Sequence, residues 1–257
     1  MDVLRKELNS FYSSQHLECE SLDAAVVEVC KERIKGMIGV TNACCVITDA
    51  SADTSYIIAG SFARLLGITE EDRMVRKVNS SDEDVIYNRL HPEDLVDKRM
   101  LEYNFFQHVD KFPNEEKQKF VARCRIRVKN RKDRYVYIDN STQVLQLSPH
   151  GKVWLILCCY NLSSNQDFEI GISPGIINNE TGVIFRLSFN DQRSQILTDR
   201  EKVVLHLIRE GFSSKLIASK LGISIHTVNR HRQNILEKLD VSNSLEAIKA
   251  AAAMKLF

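Results

Sequence analysis

The stretch LTDREKVVLHLIREGFSSKLIASKLGISIHTVNRHRQNILEKL, residues 197–239, predicts three short helices, the second and third joined by a glycine turn. Thr198 stands three residues before Glu201, the spacing at which a hydroxyl and a carboxylate cap each other's backbone N–H groups. We therefore expect a helix to start at Thr198 and to stop at Gly211. Its predicted apolar stripe comprises Val203, Val204, Leu207 and Ile208.

A second helix is predicted from Ser213 or Ser214 to Gly222, since glycine takes the left-handed conformation that a tight turn demands. It buries Ile217, Ala218 and Leu221. Ser224 caps the third helix, whose predicted core side carries Val228, Ile235, Leu236 and Leu239. Its opposite side carries His226, Arg230, Gln233 and Glu237. Two helices around a glycine turn, the second with an exposed polar face, are the sequence form of a helix-turn-helix.

The same stretch resembles the C-terminal DNA-binding domain of the LuxR-type (GerE-like) bacterial transcription regulators. The matching positions are Thr198, Arg200, Glu201, Gly211, Ser214, Lys215, Ile217, Ala218, Leu221, Ser224, Thr227, Val228, His231, Arg232, Ile235, Lys238 and Leu239. The resemblance implies base contacts from Asn229, Arg230 and Gln233. It implies phosphate contacts from Ser214, Lys215, Thr227, Arg232 and Lys238.

The helical wheel agrees with part of this assignment. Arg230 and Gln233 face outward and Asn229 lies at one flank, and arginine suits guanine as asparagine and glutamine suit adenine. The wheel turns Arg232 toward the core, from where its long side chain can still reach the DNA backbone. The alternative interpretation is a three-helix bundle with a solvated charged face.

A fourth helix is predicted from Asn243, a cap with Glu246 three residues on, through the alanine run 250–253. In the resembling family this helix pairs two domains across a two-fold axis, with Ala250 or Ala251 expected at the contact. Such a homodimer would read double-stranded DNA as an inverted repeat with half-sites about one helical turn apart. The alternative is a core helix that packs only within its own domain.

Charge is divided unevenly along a soluble chain of 257 residues that is 44% hydrophobic and carries a net charge of +1. Residues 194–257 contain ten Lys/Arg and six Asp/Glu, against 25 and 28 in the remainder. A basic C-terminal module on a mildly acidic N-terminal one confines DNA binding to the former.

The sequence predicts a cytoplasmic location. The start, MDVLRKELNS, lacks an apolar signal region, and the apolar run at residues 153–160 is too short to span a bilayer. Seven cysteines, in no zinc-like spacing, favour reduced cytosolic thiols over disulfides. We expect no metal and no resident cofactor.

Mixed helix and strand signals fill the N-terminal part and predict an α+β unit. An amphipathic helix is predicted at 21–37, with an apolar side formed by Leu22, Val26, Val29, Ile34 and Met37. Strands follow at 43–48 and 55–59, then the helix SFARLLGITEED and a helical or irregular stretch at 81–109. Three strands then alternate with turns over 120–160.

This order resembles a PAS domain, a sensor fold whose antiparallel sheet grips ligands against crossing helices. The matching segments are SFARLLGI at 61–68, LHPEDL at 90–95 and RVKNRKDRYVYI at 127–138. Ser61 stands where relatives often carry asparagine. The alternatives for its pocket are that it is empty or that it holds a small apolar or aromatic compound, and no flavin-reactive Asn-Cys-Arg-Phe segment occurs. His91 before Pro92 indicates a helix start rather than a metal or haem ligand.

Two cysteine pairs, Cys44-Cys45 and Cys158-Cys159, fall on the first and last predicted strands of this unit. In a PAS-like sheet these strands are neighbours, so one cysteine of each pair can face its counterpart. Buried small hydrophobes are the ordinary interpretation, and a redox-sensing pair is the alternative.

The patterns divide the chain into four segments: a helical segment at 1–39, a PAS-like domain at 40–163, a connector hairpin at 164–193 and an all-α four-helix DNA-binding domain at 194–257. A ligand- or partner-controlled, non-enzymatic transcription regulator is the predicted function. The alternatives are a phosphorylation-controlled response regulator and a cysteine-based redox sensor or enzyme. No nucleophile–base pair or phosphate-binding glycine loop supports an enzyme.

Overall fold

A computed structural model describes residues 5–68, 75–189, 196–239, 241–254 and 256. The chain forms two compact units, one built from Lys6–Leu187 and the other around Ser188–Phe257. No described helix combines the length and the apolar character needed to cross a membrane.

The N-terminal unit is an antiparallel sheet with helices on both faces. Its helices are α1 (Arg5–Ser14), α2 (Ala24–Thr41), α3 (Phe62–Leu65), α4 (Asp84–Tyr87), α5 (Pro92–Val109) and α6 (Asn114–Lys117). Its strands are β1 (Cys44–Asp49), β2 (Thr54–Ala59), β3 (Val75–Val78), β4 (Phe120–Lys129), β5 (Tyr135–Leu147), β6 (Val153–Leu162), β7 (Gly175–Asn178) and β8 (Ile184–Arg186).

The strands lie in the order β3-β2-β1-β6-β5-β4-β7-β8, and each neighbouring pair is antiparallel. The first strand therefore lies beside β6, the third strand of the 120–160 region, as the resemblance to a PAS domain implied. In β4, Cys124, Ile126 and Val128 are buried and Arg123 is exposed, although Val121 and Arg125, on the same parity as Arg123, are buried as well.

Helix α2 packs on one face of the sheet, but its buried side differs from the prediction. Val27, Cys30, Ile34 and Ile38 face the sheet and follow the i, i+3, i+4 spacing of a helix face. Val29 and Met37, which the prediction placed on the apolar side, are exposed. The error is one of phase: valine and isoleucine occur at several adjacent positions, so more than one stripe fits the sequence.

Residues 164–193 were predicted to be a connector separate from the PAS-like domain. Their hairpin is β7 paired with β8, and β7 also pairs with β4, so the hairpin extends the N-terminal sheet. Arg125 fastens the preceding loop, donating to the carbonyls of Asn165 (2.9 Å) and Asp167 (3.0 Å). Side-chain periodicity gives strands but not their neighbours, which is why the pairing could not be predicted.

The C-terminal unit contains four helices: α7 (Asp199–Arg209), α8 (Ser214–Leu221), α9 (Ile225–Lys238) and α10 (Ser244–Ala253). Its core is formed by Leu197, Val204, Leu205, Ile217, Ala218, Val228, Ile235, Leu239, Ala247, Ala250, Ala251 and Met254. Within α7, Leu205 is buried and Val203 is 43% exposed, so the predicted stripe was wrong at Val203.

Candidate nucleic-acid interface

The start of α7 is fixed by a reciprocal cap. The Glu201 N–H donates to Thr198 Oγ1 (3.3 Å), and the Thr198 N–H donates to Glu201 Oε2 (2.8 Å), as predicted from their spacing. Glu201 is almost fully buried and also accepts from Lys238 Nζ at 2.7 Å. Burial alone raises the pKa of the Glu201 carboxyl, but the Lys238 ammonium and the Thr198 donors lower it below its ordinary value.

The turn between α8 and α9 has the conformation that the sequence predicted. Gly222 adopts φ 64°, in the left-handed region, and its N–H closes the end of α8 on the Ala218 carbonyl. Ser224 then caps α9, its Oγ accepting from the Thr227 N–H at 3.0 Å. The turn therefore sets the orientation of α9 relative to α8.

One side of α9 is held in the core and the other is left to solvent. Val228, Ile235 and Leu239 are buried, whereas His226, Asn229, Arg230, Gln233 and Glu237 are exposed. The predicted inward and outward faces are both confirmed. The exposed face is built from hydrogen-bonding side chains of the kind that read base edges in a major groove.

The three predicted base-contacting residues do not present their side chains in the same way. Asn229 and Arg230 are exposed and make no hydrogen bond or ion pair within the described part of the chain. Gln233 instead donates to Glu237 Oε1 at 3.2 Å. The Glu237 carboxylate repels DNA phosphates, and this repulsion was not part of the prediction for α9.

Two of the predicted phosphate-contacting residues lie together between helices. Arg232 is half-buried and reaches Ser214 Oγ (3.4 Å) and Ser244 Oγ (2.8 Å), so its guanidinium links α9 to the starts of α8 and α10. Arg232 therefore lies partly on the inward side of α9, as the helical wheel predicted, while its guanidinium reaches the starts of two other helices. Ser244 was missed by the sequence analysis, although the Asn243 cap beside it marks the helix end.

The remaining predicted phosphate contacts lie apart from this group. Lys215 is exposed on α8, without a partner among the described residues. Thr227 is half-buried in the first turn of α9, 2.8 Å from Ser224 Oγ. Lys238 lies at the far end of α9, in its ion pair with Glu201.

The prediction that Ala250 or Ala251 of α10 lies at a contact between two copies was wrong. Both are buried within a single copy of the chain, at 2% and 0% exposure, so neither is available to a second copy. The exposed apolar positions of α10 are Leu245, at 62%, and Ala252. The predicted cap is present, with Asn243 Oδ1 accepting from the Glu246 N–H at 3.0 Å.

The N-terminal unit holds a second concentration of polar groups, between α5 and the inner face of the sheet. Lys98 is fully buried and donates to Glu102 Oε1 (2.6 Å) and to Thr142 Oγ1 of β5 (3.1 Å). Burial lowers the pKa of the Lys98 ammonium, but the Glu102 carboxylate more than offsets this and holds it above its ordinary value. Arg99 pairs with Asp82 at 2.6 Å, so two cations are enclosed here with the carboxylates of Asp82, Glu83 and Glu102.

The same cluster includes two tyrosine hydroxyls. Tyr87 donates to Glu102 Oε1 at 2.7 Å, and Tyr160 donates to Glu83. Burial raises the pKa of the Glu83 carboxyl to about 7, with Lys98 acting in the opposite direction. Sequence reasoning missed this cluster, because Lys98 and Glu102 at i, i+4 have the spacing of an ordinary surface pair.

The N-terminal unit also contains a cleft of about 550 Å³. It is lined by Asn9, Tyr12, Ser13, Leu17, Glu18, Ala50, Ser51, Asp53 and Ser81. Hydroxyl, amide and carboxylate groups dominate the lining, whereas the expected pocket was apolar or aromatic.

Comparison with known proteins places the C-terminal unit in a family. Residues 195–251 match the family model described as bacterial regulatory proteins, luxR family. The C-terminal unit is therefore a LuxR-type helix-turn-helix domain, as the sequence predicted.

Curated relatives match over the same region. The uncharacterized response regulatory protein YgeK of Escherichia coli K12 is 48% identical over 58 residues, which are 23% of this chain and 40% of that protein. The transcriptional regulatory protein DesR of Bacillus subtilis is 52% identical over 52 residues, 20% of this chain and 26% of that protein. Each match thus covers less than half of the relative's length.

Two solved structures align with most of the chain at low similarity. The phage VqmA–DPO complex is 15% identical over 88% of this chain and 89% of that chain, with a TM-score of 0.31. Escherichia coli SdiA is 17% identical over 98% and 97%, with a TM-score of 0.23.

Proposed function

We propose, from the LuxR-type helix-turn-helix domain at residues 195–251, that this chain is a sequence-specific transcription regulator acting on DNA in the bacterial cytoplasm. Helix α9 enters the major groove, and Asn229, Arg230 and Gln233 read base edges. Ser214, Lys215, Thr227, Arg232 and Lys238 contact or orient groups at the phosphate backbone. The activity is binding rather than catalysis.

The observation that carries this proposal is the exposed pair Asn229 and Arg230 on a helix whose opposite side is anchored. Val228 and Ile235 of α9 and the C-cap residue Leu239 are buried, and the left-handed Gly222 fixes the turn before the helix, so the exposed face is held in place. Arg230 has no partner within the described residues, and its guanidinium is therefore free to form a bidentate contact with guanine. If α9 were only the solvated face of a three-helix bundle, Asn229 and Arg230 would not need to project together from the side opposite its core.

A homodimer is part of the proposal, because an isolated domain contacts only one half-site. Ala250 and Ala251 are excluded from the contact by their burial, so Leu245 and Ala252 take their place on α10. Two copies related by a two-fold axis would occupy an inverted repeat with half-sites about 10 base pairs apart.

We further propose that the N-terminal unit is a PAS-like sensor through which a ligand or a protein partner modulates DNA binding. The adjacency of β1 and β6, the antiparallel sheet and the crossing helix α5 support this assignment. The cleft lined mainly by hydroxyl, amide and carboxylate groups favours a polar effector over an apolar one. An antiparallel sheet does not support a receiver domain, which requires a parallel one.

Selection from a pool of random duplex DNA with the full chain tests DNA reading. At fixed salt we expect enrichment of an inverted repeat, and a footprint covering both half-sites. The matched variants are Arg230→Ala and Lys152→Ala, which each remove one positive charge, the latter from an exposed position in the N-terminal unit.

Lys152→Ala should enrich the same motif as the wild-type chain, and Arg230→Ala should lose one defined base position in each half-site. Failure of the wild-type chain to enrich any motif would contradict sequence-specific binding. An unchanged motif with Arg230→Ala would contradict base reading by Arg230.

A further inference from the structure

Two thiols meet across the centre of the N-terminal sheet. Cys45 of β1 and Cys159 of β6 occupy directly opposite positions in the antiparallel register, and the Cys45 thiol donates to Cys159 Sγ at 3.1 Å. The sequence analysis expected one cysteine of each pair to face its counterpart, and these are the two that do.

The other five cysteines are placed differently. Cys44 lies opposite Tyr160 and Cys158 opposite Val46, with their side chains on the other face of the sheet. Cys158 contacts Thr142 Oγ1 at 3.4 Å. Cys19 is exposed, and within the described residues no second pair of cysteines lies at hydrogen-bonding distance.

We propose that Cys45 and Cys159 are a reversible redox site that a hydroperoxide converts into a cross-strand disulfide. Residues directly opposite in an antiparallel pair have Cα atoms about 4.5–5.5 Å apart, within the range of about 4.4–6.8 Å that disulfides span. The two sulfurs therefore need to approach by only about 1 Å, without any change in strand register.

The two thiols differ in access and in acidity, which assigns their order of reaction. Cys159 is half-buried, whereas Cys45 is completely buried. The hydrogen bond donated by Cys45 lowers the pKa of Cys159, and Ser141 acts in the same direction. The same bond raises the pKa of Cys45, because losing its proton would break the contact, and burial adds to this effect. Cys159 is the attacking thiol and Cys45 the resolving one.

The reaction balances with the hydroperoxide as oxidant. The Cys159 thiolate attacks the terminal peroxide oxygen, forming an S–O bond as the O–O bond breaks, and the leaving oxygen departs as water or an alcohol after protonation. Cys45 sulfur then attacks the sulfenic sulfur. The S–S bond forms, the S–O bond breaks, and the hydroxyl leaves as water with the Cys45 proton. Each sulfur loses one electron, and the peroxide gains two.

The test uses the full chain, fully reduced and folded, exposed to increasing hydrogen peroxide before alkylation and mass spectrometry without reductant. We expect the loss of two of the seven alkylatable thiols, a peptide containing Cys44-Cys45 linked to one containing Cys158-Cys159, and reversal by dithiothreitol. Retention of all four thiols while the exposed Cys19 is oxidised would overturn the proposal.

Variants then assign the link within these peptides. Cys44→Ala, Cys158→Ala and Cys19→Ser should each retain it, whereas Cys45→Ala should abolish it and leave a sulfenic acid on Cys159 that dimedone labels. Cys159→Ala should leave Cys45 unlabelled. Each variant is first shown to melt cooperatively. If one does not fold, fragmentation of the linked wild-type peptides identifies which cysteine of each pair carries the disulfide. A link that survives Cys45→Ala, or equal dimedone labelling of both positions, would contradict the assignment.

Discussion

At the scale of single residues, exposed side chains of the same charge in the C-terminal unit have different expected roles because of where they stand. Arg230 projects from the middle of α9, opposite its buried side, whereas Lys215 projects from the first turn of α8. A helix lying in the major groove brings the first position to base edges, while the preceding helix crosses the backbone. Specificity and affinity are therefore expected to separate between these two residues.

Replacing Arg230 with alanine should weaken operator binding and relax the preference at one base position. A bidentate contact between arginine and guanine gives about 1–3 kcal/mol of discrimination, which is lost with the guanidinium. Competition binding against single-base operator variants measures it. An equal loss on every variant would assign Arg230 to the phosphate backbone instead.

Lys215→Ala should lower affinity for all DNA sequences alike. Removing one phosphate contact reduces the slope of log affinity against log salt by about one unit. Titrations of operator and unrelated duplexes over a salt series provide the measurement, with Lys152→Ala as the control for charge. A slope equal to that of the control would remove Lys215 from the interface.

At the scale of elements, α7 and α9 are joined by buried polar groups as well as by the apolar core. Glu201 caps the start of α7 and accepts from Lys238 at the end of α9, so one carboxylate fixes two helix ends. Such a group stabilises the domain only while it is ionised, because Lys238 and the Thr198 N–H both donate to it.

We expect Glu201→Gln to destabilise the C-terminal unit by about 1 kcal/mol near neutral pH, since the amide retains the cap but loses the ion pair. The folded-state pKa of Glu201 is lowered, so its contribution is fully present above the ordinary value of 4.5 and is lost as pH falls through the lower, folded value. The difference between variant and wild type should therefore shrink in acid. Denaturation curves at several pH values test this, with Glu237→Gln as a control expected to change little, because Glu237 is exposed and accepts only from the Gln233 amide.

Within α10, Ala251→Glu should unfold the C-terminal unit rather than merely separate two copies. The position is completely buried, and an enclosed, unpaired carboxylate costs on the order of 3 kcal/mol or more. Hydrogen exchange of peptides from α7 to α10 in the full chain would lose its protection. Ala252→Glu, on the exposed side, should keep that protection; loss in both variants would contradict the assigned faces of α10.

At the scale of the whole molecule, the two compact units have separate hydrophobic cores. The chain contains one tryptophan, Trp154, buried in β6 with its Nε1 donating to Asp49 Oδ1 at 3.1 Å. Tryptophan fluorescence therefore reports only the N-terminal unit, whereas helical circular dichroism reports both units.

Unfolding of the full chain by urea should consequently give transitions that differ between these two probes. Ala251→Glu should alter the circular dichroism curve and leave the Trp154 fluorescence midpoint unchanged, because the substitution lies in the other core. Coincident transitions for both probes, shifted together by the substitution, would show that the two units unfold as one.

The sequence by itself determined the local features of this protein. The Thr198–Glu201 cap, the left-handed Gly222, the caps at Ser224 and Asn243 and the two faces of α9 follow from interactions within a few residues. A helix end or a helix face is decided by residues at i+3 and i+4, and these spacings can be identified directly in the sequence. For that reason the helix-turn-helix and its outward side chains were predictable.

Only the tertiary structure decided which groups become enclosed and which strands become neighbours. Lys98 and Glu102 have the spacing of a surface pair, yet the sheet covers them. Ala251 is buried by its own domain, β7 joins β4, and Cys45 rather than Cys44 meets Cys159, which lies 114 positions later in the chain. Burial and strand order depend on contacts between distant segments, and side-chain periodicity within one segment does not specify its partner.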